Sequence, residues 1–386
     1  MRIVFYADGR SSTTLNWLHH WIERGDEVHL VSSFPCEMLT GLASLQVVPV
    51  AFSSIKTTSR SDSQKKGLGW GAGTLGLRLL IRQWLGPITI PAAGRALREA
   101  VDRIQPDLVH AMRIPYEGMT AAAANLEVPL LISVWGNDFS LHARSSPWMS
   151  YWTRRTMRAT HGLHTDCRRD QRIAKDWGFT QGFPTLVIPG NGGINPAIFH
   201  PPSKEVIQPV VINPRGFRSY IRNDVFFRSI PLVLKQIPNA RFLCPAMAGE
   251  AEAEGWVTRL DIAHAVQLLP SRAHDLMGDV FRSAAVLVSP STHDGTPNSM
   301  LEGMACGCFP VVGWIESLQE WITNGQNGLL VDPSDSRSLA HAMITGLTDP
   351  DLRARAAQEN AVIISSRADY VSCMIQATSF YEHIIS

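Results

Sequence analysis

The chain has 386 residues, more than one ordinary hydrophobic core accommodates, and this length predicts two domains. Hydrophobic residues make up 45% of it, as in globular proteins, and 35 basic against 34 acidic residues exclude a surface built broadly for nucleic acid. Among the six cysteines only the pair at 306 and 308 is closely spaced, and that spacing is too tight for a usual zinc site. We therefore expect free thiols and predict neither a metal nor a cofactor.

The amino-terminal segment predicts a βαβ unit. An apolar strand at 3–7 is followed by a polar loop at 8–14, a helix at about 15–24 closed by Gly25, and an alternating strand at 27–31. The first apolar run is too short for a signal peptide. No later run reaches the ~20 apolar residues that a membrane-spanning helix needs, so we expect a cytoplasmic protein.

The next segment combines apolar and basic residues. Residues 53–76 are polar and glycine-rich, and the apolar stretches at 77–90 and 92–104 carry several arginines. Arginines on apolar helices form a solvated basic face or contact an anionic membrane surface. If the second interpretation holds, the contact is peripheral and at the inner face of the membrane.

Two predicted strands of the first half end in polar or aromatic residues. The strand at 107–111 ends with His110, and the strand at 130–134 is followed by Trp135 and Asp138. Strand ends of an α/β sheet line its ligand crevice, which makes these three side chains candidates for a site. The alternatives are a packed histidine and an aspartate that caps a helix.

A polar stretch without periodicity separates the two halves. Pro201 and Pro202 open it, and 203–209 is typical of an interdomain linker. A strand at 210–213 then begins the second half, and the loop behind it holds Arg215 and Arg222 before a helix at about 225–236. Arginines in such a loop suit phosphate oxygens, although loop arginines are also ordinary surface residues.

The most informative stretch lies between two apolar strands, at 284–288 and 309–312. Its helix is predicted to begin with Thr296 as N-cap and Pro297 at the first helical position, and to end at Gly307 in a left-handed conformation. The backbone amides at the helix start form a natural phosphate seat, over Gly295, Thr296, Pro297, Asn298 and Ser299. Asp294 and Glu302 supply carboxylates that can accept hydrogen bonds from sugar hydroxyls.

Residues 294–307 read DGTPNSMLEGMACG and are followed by PVV at 310–312. This pattern resembles the signature of the family 4 glycosyltransferases: an acid and Gly, a variable segment, Leu-Glu-Ala-Met-Ala-x-Gly, and a Pro-Val-Val strand. The resemblance implies that Asp294 contacts the donor sugar and Glu302 the nucleotide ribose. It also implies that Arg215, with Arg222 in place of the family's lysine, holds the donor diphosphate.

Further implications concern the acceptor. The first βαβ unit resembles that of the family, whose first loop faces the acceptor, and this makes Ser11, Ser12 and Thr13 acceptor-side candidates; the alternative is a loop that only caps its helix. Two positions depart from the pattern. Asp294 stands where the family most often has Glu, and Trp135 stands where relatives often have a catalytic-site His.

The resemblance implies the GT-B fold, an α/β architecture of two Rossmann-like domains facing across a cleft, with a final helix crossing back to the first. We expect an acceptor domain at 1–202 plus 369–386 and a donor domain at 203–368. The implied reaction is metal-independent, retaining transfer of a hexose-like sugar from a UDP- or GDP-sugar to a saccharide or lipid-linked acceptor, in polysaccharide or glycoconjugate synthesis at the cell surface. The alternatives are a GT-B epimerase or phosphorylase and a catalytically inactive sugar-nucleotide-binding or partner subunit.

Overall fold

The computed structural model describes residues 1–51, 53, 83–203, 208–218 and 220–386. The predicted polar segment at 54–76 and the first six residues, 77–82, of the apolar stretch at 77–90 lie outside the described residues. The chain forms two compact units, an amino-terminal unit (Met1–Asp166, Asp170–Val187 and Gln376–Ser386) and a carboxy-terminal unit (Cys167–Arg169 and Ile188–Ile375). The second unit begins at Ile188 rather than after 202, because Ile194 and Phe199 pack in its hydrophobic core.

The amino-terminal unit is built on a seven-stranded parallel sheet with the order β3-β2-β1-β4-β5-β6-β7. Its strands are β1 (Arg2–Ala7), β2 (Glu27–Ser32), β3 (Ser44–Val47), β4 (Leu108–Ala111), β5 (Leu130–Val134), β6 (Gly162–Thr165) and β7 (Thr185–Val187). Its helices are α1 (Ser12–Glu23), α2 (Ile90–Ile104), α3 (Met119–Ala124), α4 (Pro147–Ala159) and α5 (Arg168–Asp176). The central strands are buried on both faces, as parallel sheets covered by helices are, so they read as continuous apolar runs.

The carboxy-terminal unit has a six-stranded parallel sheet with the order β10-β9-β8-β11-β12-β13. Its strands are β8 (Val210–Ile212), β9 (Arg241–Cys244), β10 (Val266–Leu268), β11 (Val286–Ser289), β12 (Phe309–Gly313) and β13 (Leu329–Val331). Its helices are α6 (Asn223–Leu234), α7 (Ala251–Arg259), α8 (Met277–Arg282), α9 (Asn298–Ala305), α10 (Glu316–Gln319), α11 (Ser336–Thr348) and α12 (Pro350–Arg367).

The last helix, α13 (Tyr370–Ile385), contributes to both units: its residues through Ile375 belong to the second and those from Gln376 onward to the first. The predicted class, two parallel α/β units, is confirmed. Over the described ranges, no helix has both the length and the apolar character that crossing a bilayer requires.

Candidate active site

The predicted site stretch forms the connection from β11 to β12, at the centre of the second sheet. The strand β11 lies between β8 and β12, all parallel. The loops behind β8 and β11 therefore leave the same edge of the sheet side by side, and these loops carry Arg215 and Asp294. Two residues far apart in sequence meet at the carboxyl ends of adjacent strands.

The start of α9 differs from the prediction. Pro297 is the N-cap residue, with an extended backbone (φ −66°, ψ 117°), and Asn298 is the first helical residue. The prediction of Thr296 as the cap was wrong: Thr296 is buried and its Oγ1 accepts a hydrogen bond from Trp321 Nε1 at 2.9 Å. Gly307 ends the helix in the predicted left-handed conformation (φ +83°).

Arg215 and Asp294 form a nearly buried ion pair. Arg215 Nη2 lies 2.7 Å from Asp294 Oδ2, and the two side chains are 9% and 13% exposed. Ser291 Oγ donates to the same carboxylate oxygen at 3.0 Å, and Arg215 Nη1 donates to Ser299 Oγ at 3.4 Å. Arg215 Nε is buried and has no hydrogen-bond partner among the described residues, so the guanidinium keeps one donor for a ligand.

The backbone of Asp294 is also fixed. Its carbonyl oxygen accepts from Arg169 Nη1 at 2.8 Å and from Ser317 Oγ at 2.7 Å. These two residues, and Ser291, were missed by the sequence analysis. Arg169 lies 125 positions before Asp294 and stands among several similar arginines, so no local signal distinguishes it.

The helix start next to this pair presents unsatisfied backbone donors. The first amide of α9 with a backbone acceptor is that of Met300, which donates to Pro297 O at 2.9 Å. The amides of Asn298 and Ser299 precede it and point out of the helix start, where the helix dipole favours an anion. Gly295 is buried in the loop just before, and Asn298 Oδ1 is buried without a partner. Free backbone donors thus lie beside Arg215, and the phosphate seat stays a prediction.

Glu302 lies one turn further along α9 and is 5% exposed. Its Oε1 accepts a hydrogen bond from His274 Nε2 at 2.7 Å. This hydrogen bond raises the pKa of the His274 imidazole above its ordinary value, against the opposing effect of burial. The sequence analysis did not identify this pair, because the two residues lie 28 positions apart and no local pattern connects them.

Arg222 lies beside the loop that follows β11, where its backbone amide donates to Pro290 O at 3.1 Å, but its guanidinium has other partners. Its guanidinium binds both carboxylate oxygens of Asp224, at 2.8 and 2.9 Å, and donates to Ser334 Oγ at 3.1 Å. This pairing raises the pKa of Arg222 and lowers that of Asp224. In the described parts of the chain the Arg222 guanidinium does not bond Asp294. Its role towards the donor stays a prediction.

His110 is an interior residue rather than a site residue. It is fully buried on β4, where Nε2 lies 2.7 Å from Ser133 Oγ, and Nδ1 bonds the hydroxyl of Tyr381 on α13. Ser133 Oγ in turn lies 2.8 Å from His164 Nδ1. Burial, with a smaller effect from His164, lowers the pKa of His110 well below its ordinary value. Its burial and these partners favour the alternative of a packed histidine over a role in a ligand site.

Asp138 and Trp135 organise the loops behind β4 and β5. The fully buried Asp138 accepts from Arg113 Nη2 at 2.9 Å and from the backbone amides of Ile114 and Trp135. Trp135 is half-buried, and its indole N–H donates to Met112 O at 2.7 Å. Asp138 thus joins two loops instead of presenting a carboxylate to a ligand, whereas part of the Trp135 ring remains accessible.

The remaining acceptor-side candidates lie at the start of α1. Ser11 is the N-cap residue by backbone geometry, without a side-chain capping bond, and Ser12 and Thr13 form the first turn. Ser12 is exposed and the other two are half-buried. Their hydroxyls are accessible at the carboxyl end of β1, so they stay candidates.

Two family models match the chain, and each corresponds approximately to one of the two units. Residues 8–190 match the family model described as glycosyl transferase 4-like domain, and residues 210–349 match the one described as glycosyl transferases group 1. Among curated proteins, D-inositol 3-phosphate glycosyltransferase of Streptomyces avermitilis is 29% identical over 142 residues, covering 34% of this chain and 31% of the relative. An uncharacterised glycosyltransferase of Methanocaldococcus jannaschii is 25% identical over 131 residues, covering 34% and 37%.

Solved structures of the same fold cover the whole chain. Sucrose-phosphate synthase from Thermosynechococcus elongatus has a TM-score of 0.76 at 15% identity, covering 100% of this chain and 99% of that one. HepE of Anabaena, in complex with UDP-glucose, has a TM-score of 0.74 at 17% identity, covering 99% and 100%. These likenesses show the fold, and the predicted GT-B architecture is confirmed.

The fold and the two family matches place the chain in the class of GT-B glycosyltransferases. The chain spans about a third of the length of the curated relatives it matches. The relatives' donor and acceptor therefore enter only as proposals.

Proposed function

We propose that the chain is a retaining glycosyltransferase of the family 4 type, which moves a sugar from a nucleoside-diphosphate sugar to a saccharide or lipid-linked acceptor. The observation that carries this proposal is the nearly buried Arg215, 2.7 Å from Asp294 and beside the unsatisfied amides that begin α9. Arg215 and the helix start provide positive charge together with hydrogen-bond donors, and both are fixed before a ligand arrives. That combination suits a diphosphate.

The diphosphate is the leaving group of the proposed reaction. As the bond between the anomeric carbon and the phosphate oxygen breaks, negative charge develops on that oxygen. Donors that are already oriented stabilise this charge most, because they need not reorganise during the reaction. Arg215 has an unused Nε–H for this purpose, and its bond to Asp294 sets the plane of the guanidinium. Because Arg215 and the helix start supply this positive charge, the proposed transfer is metal-independent.

Asp294 has two roles in this proposal. Its Oδ2 orients Arg215, and its side chain can accept a hydrogen bond from a hydroxyl of the donor sugar. The two donors on its carbonyl oxygen, from Arg169 and Ser317, hold the loop in place while that sugar binds. Attack by the acceptor hydroxyl on the leaving-group face would retain the anomeric configuration, as the family resemblance implies.

The donor and acceptor are proposed from similarity and chemistry. HepE is in complex with UDP-glucose in its solved structure, which favours a uridine diphosphate sugar as the first donor to test. For the acceptor side we propose the hydroxyls of Ser11, Ser12 and Thr13 and the ring of Trp135. Location at the inner face of the membrane and a role in cell-surface polysaccharide or glycoconjugate synthesis are part of the same proposal.

The test begins with a thermal-shift panel of UDP- and GDP-sugars on the purified chain, because a ligand that binds only the folded state raises the melting temperature. With the best donor and an acceptor panel, Arg215→Ala should lower kcat/KM for nucleoside diphosphate release by about 100- to 1,000-fold. Arg215→Lys should recover part of the loss, since it keeps the charge without the planar fork. Nuclear magnetic resonance of the product's anomeric signal reports the stereochemistry.

Arg218→Ala is the matched control, because Arg218 lies in the same loop but is exposed, and in the described chain its side chain bonds only Tyr220. It should leave turnover unchanged. Nucleotide-sugar binding without transfer to any acceptor would favour an inactive partner subunit. That alternative is motivated by Asp294 and Trp135, the two positions that depart from the family pattern. A change in the sugar itself without an acceptor would favour an epimerase.

A further inference from the structure

The pair of His274 and Glu302 has a geometry that the proposed reaction does not yet explain. His274 lies in the single turn of 3₁₀ helix His274–Leu276, behind β10, and reaches across to α9. Its Nε2 is 2.7 Å from Glu302 Oε1, and the side chains are 34% and 7% exposed. The Phe199 ring packs against the imidazole, with centroids 5.2 Å apart. The imidazole is therefore held from two sides, by Phe199 and by the carboxylate.

Glu302 lies on the helix face that leads from the phosphate seat. It follows Asn298 by four positions and Ser299 by three, so the three side chains share one face of α9. Four residues of helix correspond to about 6 Å along the axis. A nucleotide whose diphosphate occupies the helix start would bring its ribose to the level of Glu302.

Only one oxygen of Glu302 is occupied within the described structure. Oε1 accepts from His274, and no described residue donates to Oε2. A buried carboxylate with one oxygen bonded is held in a single orientation, and its second oxygen remains available to a ligand donor. The raised pKa of His274 agrees with a hydrogen bond that favours the charged form of the imidazole.

We propose that His274 is a positioning residue that fixes Glu302 as the acceptor for a ribose hydroxyl of the nucleotide donor, so that the pair selects ribonucleotides. This inference rests on the proposed function: it takes the ribose contact of Glu302 from the family resemblance and adds His274 as the residue that positions the carboxylate. His274 itself does not touch the sugar. It occupies one oxygen of the Glu302 carboxylate and thereby orients the other oxygen towards the ligand. Without His274 the carboxylate would be free to rotate, and the hydroxyl would lose an acceptor of fixed orientation.

The experiment measures selection for the ribose, independently of catalysis. Dissociation constants are determined by isothermal titration calorimetry for UDP and 2′,3′-dideoxyuridine diphosphate, and for the corresponding guanosine pair. In the unmodified chain the ribonucleotide should bind about 10-fold more tightly, the value of one good hydrogen bond to a charged group. His274→Ala and Glu302→Gln should each reduce this ratio towards one, and the double variant should reduce it no further.

His274→Gln and His274→Asn separate positioning from packing. The amide of Gln reaches the place of Nε2 and should restore most of the selection, whereas the shorter Asn should not. Asp275→Asn is the control next in sequence; Asp275 is exposed, and its replacement should leave the ratio unchanged. A ratio that His274→Ala and His274→Asn leave intact, in variants that still bind UDP, would overturn this inference alone. Absence of any nucleotide binding to the unmodified chain would instead overturn the proposed function.

Discussion

At the scale of the residue, two arginines of one loop illustrate how a partner decides a role. Arg215 pairs with Asp294, 79 positions away, whereas Arg222 pairs with Asp224, two positions away. An ion pair between residues two positions apart, such as Arg222 and Asp224, can form without any contact to another loop. A long-range pair forms only when the sheet brings two loops together. Both arginines look alike in the sequence, and only the fold separates them.

Burial of His110 predicts loss of stability in mild acid. The folded chain keeps this imidazole neutral because its pKa lies well below the ordinary value of 6.5, whereas the unfolded chain binds a proton near that value. The unfolded state therefore gains protons first as the pH falls, and this site removes up to about 1.4 kcal/mol of stability per pH unit below pH 6.5. His110→Gln should flatten the pH dependence of the free energy of unfolding between about pH 7 and pH 5.

Chemical denaturation at a series of pH values measures this effect. His110→Gln should lower stability at neutral pH, because Gln does not reproduce both bonds, to Ser133 and Tyr381. The slope rather than the absolute value tests the prediction. His383→Gln is the control, since His383 is exposed near the end of α13 and its replacement should leave the slope unchanged. An unaltered slope in His110→Gln would mean that another group controls acid stability.

At the scale of the element, α9 shows how far the sequence predicts a site. The apolar runs on either side and Gly307 predicted the strand, helix and strand correctly. The first residue of the helix was not predicted, because proline fits both the N-cap and the first helical position, and the choice depends on Trp321 binding the hydroxyl of Thr296. Hydrogen bonds between distant segments, such as those to Asp294 from Arg169, have no local pattern.

The same contrast holds for the strands. The strand β5 matches the predicted range 130–134 residue for residue, because it is a short, mainly apolar run that is buried at every position. The strand β3 was missed. It has the sequence Ser-Leu-Gln-Val at the edge of its sheet and is half-buried to exposed, so it lacks the apolar run that identified the others.

The family pattern has alanine at the position of Gly303 in α9, and we expect alanine there to destabilise this chain. A Cβ at Gly303 would lie 2.4 Å from Leu287 Cδ1, a fully packed side chain of β11. Alanine favours a helix by up to about 1 kcal/mol, but overpacking a core costs about 1–3 kcal/mol. Gly303→Ala should therefore lower the free energy of unfolding by about 1 kcal/mol, measured by chemical denaturation.

Gly255→Ala provides the matched control. Gly255 is also helical, in α7, but no atom lies within 4 Å of the place that its Cβ would occupy. Here only the helix preference acts, and the variant should gain up to about 1 kcal/mol. Combining Gly303→Ala with Leu287→Val, which removes the clashing methyl group, should cost less than the sum of the single changes. Equal effects of alanine at both glycines would contradict this account of α9.

At the scale of the whole molecule, one helix serves two cores. The buried residues fall into separate clusters in each unit, and α13 contributes residues to both units. Its later turns carry Tyr381, which is fully buried and lies 4.2 Å, centroid to centroid, from the Trp21 ring. It also carries Ile384, which packs closely against Gly162 of β6. The stability of the amino-terminal unit therefore depends on the last residues of the chain.

A chain ended after Ile375 tests this dependence. The truncation removes Tyr381 from the rings of Trp17 and Trp21 and from the hydrogen bond to His110. Loss of one buried aromatic side chain alone costs about 3–5 kcal/mol, so the amino-terminal unit should unfold at clearly lower urea concentration, followed by tryptophan fluorescence. UDP binding, measured by calorimetry, should persist, because Arg215, Asp294 and Glu302 all lie in the other unit.

Removal of Ser386 alone is the control for this truncation and should change neither the urea midpoint nor UDP binding. An unchanged urea midpoint in the chain ended after Ile375 would show that the helix contributes nothing to the first core, and loss of UDP binding would place a donor contact outside the carboxy-terminal unit.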